Sequence, residues 1–278
     1  MKQKIITLII LAFCTILPSM AQQHELSVNG GFGLSTLDYS YVTTLYKTGA
    51  GGQIGFGYNY FVTPNWSLRT GIDFAFYNAS LSKSQYGATN QTISDVGEVF
   101  DFMYSYLNYK EELSATFLNI PVMVQFQTTG KIAFYIAGGA KIGIPVSATC
   151  RTKGDLTTKG WVADLGLIDH KIMEDMEDMG FVTNRATDKK NDFSMGVSFM
   201  LSAETGIKWE LSEKFNLYTG VYFDYGLTDV NKDPVTSVRL ITYQPARPAE
   251  FLYGNMTAAT ERMNTIAGGI TIRLAYKL

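Results

Sequence analysis

Histidine and cysteine are scarce in this chain of 278 residues, which has two of each against 17 tyrosines, 17 phenylalanines and 26 glycines. So few imidazole and thiol groups leave little material for a metal centre or a nucleophilic site. The net charge of -2 at pH 7 does not indicate the basic surface that nucleic-acid binding requires. The abundance of aromatic residues and glycine favours a β-rich protein.

The N-terminus has the features of a secretory signal peptide. Two lysines precede an apolar run at residues 5–17, which is too short to cross a bilayer comfortably. Small residues at Ser19 and Ala21 complete a cleavage site. We therefore expect residues 1–21 to be removed and the mature chain to begin at Gln22.

The two cysteines have no predicted role. Cys14 lies inside the apolar run, and Phe13 occupies the position where a lipid-attachment motif needs a small residue. Removal of the signal leaves Cys150 as the single cysteine, which cannot form an internal disulfide. We interpret Cys150 as a tolerated thiol in a loop.

Alternation of polar and apolar side chains recurs along the mature chain. It is clearest on either side of the polar turn 128–131, where period-two alternation predicts a β-hairpin with two different faces. No apolar run beyond the signal reaches the 18 residues of a helical membrane span. We predict eight strands, near residues 26–35, 53–60, 66–76, 118–126, 132–144, 193–210, 215–225 and 265–277.

The connections between these strands alternate strictly in length. Tight turns near Pro64, Gly130 and Glu213 follow the second, fourth and sixth strands, and the other links are long. This pattern is typical of an up-and-down, antiparallel transmembrane β-barrel with short periplasmic turns and long extracellular loops. The three largest loops are predicted at 78–113, 148–192 and 229–263.

The two faces of the strands argue against a soluble barrel. A carrier of lipocalin type also has eight up-and-down strands, but it turns apolar side chains inward and charges outward. Here the charges share a face with glycine and other small residues, and the opposite face is bulky and almost uncharged. Because lipid suits the bulky face, we predict that residues 22–278 form one all-β barrel domain in the outer membrane of a Gram-negative bacterium.

Aromatic residues are expected at the membrane interface. Trp66 begins the third strand and Trp209 ends the sixth, both on the apolar face beside periplasmic turns. Tyr276 lies on the same face of the last strand. The eleven residues 66–76 match the roughly 9–11 that a tilted strand needs to cross the hydrocarbon core.

The charges on the inner face predict a plugged lumen. Buried charges have to be paired, and eight strands enclose only enough space for side chains. We expect a charge-paired polar filling, with a conducting channel as the alternative. The predicted network contains Arg69, Asp73, Lys141, Glu204, Lys208, Asp224 and Arg273, with Glu210 as a further candidate.

Several features of the loops leave alternatives open. Twelve or more strands would need extra alternating pairs in the long loops, and ten strands stay an alternative to eight. Residues 235–243 and parts of 95–109 also alternate, and we favour their extending existing strands above the membrane. Residues 168–179 place Ile and Met at helical spacing, which predicts a short loop helix without the spacing of a calcium loop. Loop tyrosines suggest either a contact surface or, as we favour, an interfacial girdle with loop packing; they are Tyr39, Tyr41, Tyr46, Tyr86, Tyr104, Tyr106 and Tyr109.

Four motifs carry a resemblance to a known family. The predicted signal ends in Ala-Gln, the first strand contains Asn-Gly-Gly-Phe-Gly, residues 118–122 read Leu-Asn-Ile-Pro-Val, and residues 134–143 are rich in glycine. In these features the mature chain resembles the outer-membrane β-barrel domain family that includes PorT-like and OmpA-like small barrels. The resemblance implies outer-membrane lipid, lipopolysaccharide and the barrel-assembly machinery as partners. A PorT-like member would serve a protein-secretion assembly.

Catalysis is the remaining class of function to weigh. Small outer-membrane barrels include lipid-modifying enzymes that use a histidine, a serine and an acid, but His24 is predicted in the periplasmic tail and His170 in a long loop. We therefore expect no catalytic, cofactor or metal site. Our leading hypothesis is a non-enzymatic structural or interaction barrel whose loops contact a ligand or another envelope protein. A PorT-like secretion accessory and a narrow solute pore are the alternatives.

Overall fold

A computed structural model describes residues 23–39, 45–162, 171–234, 239–260 and 262–278. The predicted signal peptide lies outside these residues, and its cleavage stays a prediction. None of the helices in the described ranges is both long and apolar enough to span a membrane. The strands are β1 (His24–Tyr39), β2 (Leu45–Phe61), β3 (Trp66–Ile93), β4 (Val99–Gln127), β5 (Ile132–Val162), β6 (Lys171–Met173), β7 (Arg185–Asp192), β8 (Ser198–Glu210), β9 (Phe215–Gly226), β10 (Ile241–Thr242), β11 (Leu252–Tyr253) and β12 (Met263–Lys277).

Eight of these strands close into a ring. The main sheet contains ten strands; β6 and β7 attach to β5, and the other eight pair in the order β1-β2-β3-β4-β5-β8-β9-β12. The ring closes through antiparallel pairing of β12 with β1, from Glu25 opposite Lys277 to Tyr39 opposite Met263. The prediction of an eight-strand, up-and-down antiparallel barrel is therefore confirmed.

Side chains alternate across the barrel wall as the sequence pattern predicts. On β3, Ile72 and Phe74 are exposed on the outside, whereas Asp73 between them is buried inside. The outward apolar side chains end at Phe76, and the outward positions above it are Asn78 and Ser80. Eleven residues at about 3.3 Å each, tilted by about 45°, give an apolar band about 25 Å tall, which suits a bilayer core.

Two facing glycines allow tight coiling where the ring closes. Gly33 of β1 is paired with Gly269 of β12, and both lie on the inner side of the wall. A Cβ added to Gly269 would lie 2.2 Å from the carbonyl oxygen of Phe32 and 2.6 Å from the Cα of Gly33. Because these are backbone atoms that cannot rotate away, the seam requires glycine at this position.

Three strands continue far beyond the apolar band. β3, β4 and β5 contain 28, 29 and 31 residues, and their upper parts form a sheet that β7 extends on the β5 edge. The predicted loops 78–113 and 148–192 are thus largely strand, which continues the barrel strands beyond the bounds predicted for them. The cause is visible at Phe102, Tyr104 and Tyr106, which continue the alternation of the barrel and are buried on one face. Within 95–109, residues from 99 onward therefore prolong an existing barrel strand.

An apolar core fills this upper part, which we call the extracellular β domain: the described residues 77–117, 145–195 and 229–263. The final long loop covers the sheet, and Phe100 meets Tyr243 edge to face with ring centroids 5.2 Å apart. In the predicted range 235–243, the described residues contribute only the short strand β10, which pairs with β11 and does not join the ring. The buried core includes Tyr77, Leu81, Phe102, Tyr109, Leu113, Phe117, Leu156, Phe181, Met195, Leu240, Phe251 and Met263.

Two local predictions for this domain are wrong. The predicted helix at 168–179 is not formed by its described residues: Lys171–Met173 is strand β6, paired with the edge of β5, and only Glu177–Met179 forms a 3₁₀ turn. Asp175 has a φ of 55°, which interrupts helical propagation between these pieces. Cys150 is not a loop thiol, because it lies on β5 and is buried in the core. Burial raises the pKa of its thiol.

The glycine seam leads to a prediction for barrel stability. Gly269→Ala should destabilise the folded barrel by about 1–3 kcal/mol, because the added methyl group meets the backbone of β1. The measurements are the urea midpoint of unfolding and the fraction of heat-modifiable band on unboiled gels. Gly268→Ala is the matched control, since its added carbon meets nothing nearer than 3.4 Å. Equal losses for the two variants would contradict the close approach at the seam.

Candidate functional site

The barrel wall directs the predicted charged residues into the lumen. Six of them are at most 9% exposed: Arg69, Asp73, Lys141, Glu204, Asp224 and Arg273. They come from β3, β5, β8, β9 and β12, at inward positions of the period-two pattern. Lys208 is half-buried closer to the periplasmic end of β8. The apolar outer wall and the polar inner wall are therefore the two faces that the alternation predicts.

Glu204 is the centre of the largest cluster in the lumen. Its Oε2 lies 2.6 Å from Nη2 of Arg69, and its Oε1 lies 3.9 Å from Nη2 of Arg273. The hydroxyl group of Tyr135 donates to the same Oε1 at 3.0 Å. These four side chains come from β8, β3, β12 and β5, so the cluster connects opposite parts of the wall across the axis.

Two tyrosine rings hold the guanidinium group of Arg273. Its Cζ lies 4.1 Å from the ring centroid of Tyr218 and 5.5 Å from that of Tyr135. The two rings meet edge to face at 5.3 Å. Nη2 of Arg273 also donates to Gln125 at 2.8 Å. This stacking fits a planar, weakly hydrated cation and fixes Arg273 across the lumen.

A second ion pair lies in the lumen between β5 and β9. Nζ of Lys141 is 2.8 Å from Oδ2 of Asp224, and both side chains are almost fully buried. Ser202 donates to the other carboxylate oxygen of Asp224 at 2.6 Å, and Lys141 also donates to Gln53 at 3.3 Å. Burial without these partners would be costly, because an isolated charge loses its hydration in the wall.

The other members of the predicted network are arranged differently. Asp73 accepts a hydrogen bond from Asn29 at 2.6 Å, and within the described residues neither Asp73 nor Lys208 has an ion-pair partner within 4 Å. Glu210 pairs with Lys277 at 2.6 Å, at the periplasmic end of the barrel. The structure thus brings five of the predicted residues into two clusters and leaves Asp73 and Lys208 outside them.

One buried carboxylate was not among the predicted residues. Glu25 of β1 accepts hydrogen bonds from the amide of Asn216 at 2.6 Å and from the hydroxyl of Tyr218 at 2.9 Å. The alternation contained a signal for it, because Glu25 precedes Leu26 and so shares the inward face with Ser27. Its place before the first apolar residue of the first predicted strand hid that signal.

Little space remains among these side chains. The cavity lined by Asn29, Gln53, Asp73 and Lys141, with both arginines and Glu204, has a volume of about 20 Å³. A cavity of this size holds about one water molecule. Nε and Nη1 of Arg273 have no hydrogen-bond partner among the described residues, so a water molecule is the expected ligand for them.

A separate buried carboxylate connects the parts of the extracellular β domain. Glu111 of β4 accepts hydrogen bonds from the backbone N–H of Thr257 at 3.1 Å, from the Thr257 hydroxyl, from the Met256 N–H and from the Tyr109 hydroxyl. Burial raises the pKa of this carboxyl group, and the donors from Thr257, Tyr109 and Met256 oppose part of the rise. Glu111 therefore fixes the last long loop to the sheet.

The predicted interface aromatics lie on the outer wall near the periplasmic turns. Trp66 is exposed and its ring is 5.0 Å from that of Phe126. The indole N–H of Trp209 donates to Thr219 at 2.9 Å. Tyr276 meets Phe215 with ring centroids 5.3 Å apart. Their role as membrane anchors stays a prediction.

The structure describes the side chains of four of the seven loop tyrosines. Tyr104, Tyr106 and Tyr109 are buried in the core of the extracellular β domain, and Tyr86 packs against that core. The interpretation as loop packing therefore describes these four better than an exposed contact surface does. Tyr41 and the side chains of Tyr39 and Tyr46 lie outside the described residues.

The two histidines offer no assembled site. Nδ1 of His24 is 2.7 Å from the hydroxyl of Tyr58, and the ring stacks against it near the periplasmic end of β1. His170 lies outside the described residues. In the ranges that the structure describes, no group of three or more His, Cys, Asp or Glu side chains could hold a metal ion.

The Lys141–Asp224 pair leads to a prediction for a double-mutant cycle. Lys141→Met should destabilise the barrel by about 3–5 kcal/mol, because it leaves Asp224 buried without its cation. Lys141→Met combined with Asp224→Leu should cost clearly less than Lys141→Met alone. Urea unfolding in lipid provides the free energies. Arg247→Met is the control: its partner Glu250 is 3.3 Å away, the two side chains are 71% and 64% exposed, and the change should be below about 1 kcal/mol.

Glu111 leads to a prediction for local unfolding. Glu111→Ala should release the segment 239–262 from the sheet and raise its rate of trypsin cleavage by about 10-fold, since several buried donors lose their acceptor. Mass spectrometry of timed digests measures the rates of cleavage after Arg239 and after Arg262, because trypsin does not cleave the Arg247–Pro248 bond. Glu112→Ala is the matched control, because the neighbouring side chain is on the outer face and pairs only with surface lysines. Identical digestion of both variants would refute the anchoring role.

Comparison with known proteins places this geometry in a family. The family model described as "Outer membrane protein beta-barrel domain" matches residues 20–232, which is well over half of the chain. A search of the curated proteins found no match. Among solved structures, the chain is similar to Neisserial surface protein A, with 11% identity, 93% of this chain and 100% of that chain covered, and a TM-score of 0.36.

Two further solved structures are similar at the same level. OprG from Pseudomonas aeruginosa has 11% identity over 92% of this chain and 95% of its own, with a TM-score of 0.33. Ail of Yersinia pestis has 11% identity over 91% of this chain and 98% of its own, with a TM-score of 0.28. Identities this low concern the fold alone, and the family match carries the assignment. The chain belongs to the outer membrane β-barrel domain family, and it is a protein of the outer membrane of a Gram-negative bacterium.

Proposed function

We propose that this protein is a non-enzymatic outer-membrane barrel of structural or interaction type, with a closed lumen and an extracellular β domain for contact. The observation that carries the proposal is the cluster around Glu204. Side chains from four strands meet there across the axis, with Arg69 at 2.6 Å and Tyr135 at 3.0 Å. The cavity beside this cluster has a volume of about 20 Å³ and holds about one water molecule, which supports a closed lumen.

The charges of the lumen support a structural role for this plug. The inward side chains include four cations and four carboxylates; they are Arg69, Lys141, Lys208, Arg273, Glu25, Asp73, Glu204 and Asp224. Equal numbers of both signs give neither cations nor anions a favourable pathway. Two pairs and the stacked Arg273 also fix the contacts between strands that are distant in the sequence.

The contact role rests on the shape of the extracellular β domain. Its sheet and core hold the β3–β4 hairpin away from the membrane, so the tip is presented on a rigid element. Apolar side chains are exposed at this tip: Ile93 at 51%, Val96 at 77% and Val99 at 56%. Apolar side chains exposed together mark contact surfaces, whereas singly exposed ones are normal. We propose that a surface ligand or another envelope protein meets the domain there.

The geometry around His24 supports the assignment as a non-enzyme. A lipid-modifying enzyme needs its general base on the outer wall near the outer leaflet. His24 lies at the opposite end of the barrel, hydrogen-bonded to Tyr58. The narrow solute pore and the PorT-like secretion accessory are the alternatives from the sequence. No contact in the described residues favours either of them over the plugged barrel.

Conductance in planar lipid bilayers tests the closed lumen. The refolded wild-type protein should show no steady single-channel current, because the Glu204 cluster blocks the axis. A variant with Arg69→Ser, Glu204→Ser and Arg273→Ser should gain conductance if it folds, since it empties the constriction. A known porin in the same bilayer controls for insertion and sensitivity. Steady current through folded wild-type protein would refute the plug and favour the solute pore.

A further inference from the structure

The outer wall of the barrel changes in polarity in three steps above the lipid band. On β4 the outward side chains are apolar up to Leu118, carry hydroxyl groups at Thr116 and Ser114, and become charged at Glu112 and Lys110. Neighbouring β5 follows the same order, with outward Ile144, then Ser147 and Thr149, then Arg151 and Lys153. This order of apolar, hydroxyl and charged zones matches the depth profile of a membrane interface.

Strand register places the charged residues in two continuous rows across the outer wall. The lower row crosses five strands through Lys47, Ser80, Glu112, Arg151 and Lys190. The upper row crosses four strands through Ser82, Lys110, Lys153 and Asp188. We call the cations of these rows the cationic belt: Lys47, Lys110, Arg151, Lys153 and Lys190.

The belt has more positive charge than its own acids neutralise. Arg151 makes two hydrogen bonds of 2.6 Å with Asp188, and Glu112 is shared by Lys110 at 2.5 Å and Lys153 at 3.1 Å. Asp192 adds one more acid at the β7 end of the hydroxyl zone. Five cations therefore stand against three acids. Lys47 and Lys190 are exposed and have no ion-pair partner within the described ranges.

The height of the belt brings it within reach of lipid head groups. The six residue-to-residue steps from Leu118 to Glu112 span about 20 Å along a strand, or about 14 Å in height at a tilt of about 45°. Long side chains of lysine and arginine can bend back toward the membrane while their methylene groups cover the hydroxyl zone. The phosphate groups of lipids lie in the head-group layer, just outside the hydrocarbon core.

We propose that the cationic belt binds the phosphate groups of the glycolipids that surround the barrel in the outer leaflet. The inference rests on the membrane placement of the barrel and not on its closed lumen, so a conductance result leaves it unaffected. A lipid phosphate is favoured over a soluble anion because the belt faces outward over the leaflet, directly above the hydroxyl zone that borders the apolar band. Each phosphate would replace an acid of the belt as the partner of a lysine, or would pair directly with Lys47 or Lys190.

A competition experiment with two forms of lipid A tests the belt. The refolded protein in neutral detergent is mixed with equal amounts of diphosphoryl and dephosphorylated lipid A, and native mass spectrometry counts the bound molecules. Wild-type protein should prefer the diphosphoryl form by about 10-fold, and added salt should weaken the preference. The belt variant should prefer it by less than about 2-fold; its substitutions are Lys47→Gln, Lys110→Gln, Lys153→Gln and Lys190→Gln.

A charge-matched control separates the belt from net charge. The control variant removes four cations of the extracellular β domain outside the belt and should keep the wild-type preference; its substitutions are Lys159→Gln, Lys189→Gln, Lys232→Gln and Arg247→Gln. An absent preference in wild type, or equal losses in both variants, would overturn the proposal. Inorganic pyrophosphate bound as tightly as lipid A would overturn the lipid as ligand. If the belt variant does not fold, Lys47→Gln and Lys190→Gln singly, which break no described ion pair, should each reduce the preference.

Discussion

The pairing of β12 with β1 is the constraint on which the rest of the structure depends. Every backbone N–H and C=O at the depth of the hydrocarbon core must find a partner within the protein, and only a closed ring provides one for all strands. Closure with eight strands sets a narrow interior, and glycine at the seam lets the wall coil tightly enough. The size of the lumen, the need to pair its charges and the outward position of the apolar side chains all follow from this ring.

A narrow polar lumen explains why ion pairs stand where a soluble protein has an apolar core. Lipid takes the apolar side chains of the membrane segment, so the inner wall must be polar to keep the two faces distinct. The Arg69–Glu204 and Lys141–Asp224 pairs then connect strands that lie far apart in the sequence. Above the membrane the polarity of the inward side chains reverses. The same inward positions carry Phe102, Tyr104 and Tyr106, because water surrounds the wall there and an apolar core becomes favourable.

This reversal gives the protein two differently stabilised parts on one set of strands. β4 passes from Gln125 and Met123 in the lumen to Glu111 and Phe102 in the extracellular β domain without interruption. The lumen is joined by charge pairs and the upper domain by apolar packing, with Glu111 fixing the last loop to the sheet. The cationic belt lies on the outer wall where these parts meet. The contact role that we propose rests on this rigid domain above the barrel.

The sequence alone determined the barrel, because period-two alternation and the sign of its faces are local properties. It indicated eight strands, the inward side of Arg69 and Lys141, and the outward side of Trp66. Only the tertiary structure decided which charges meet, since Glu204 and Arg69 are 135 residues apart. The tertiary structure also decided that the predicted loops form a packed domain. Alternation at residues 100–106 predicts a strand equally well in lipid or in water, and only packing against residues 239–256 shows that these side chains form a core.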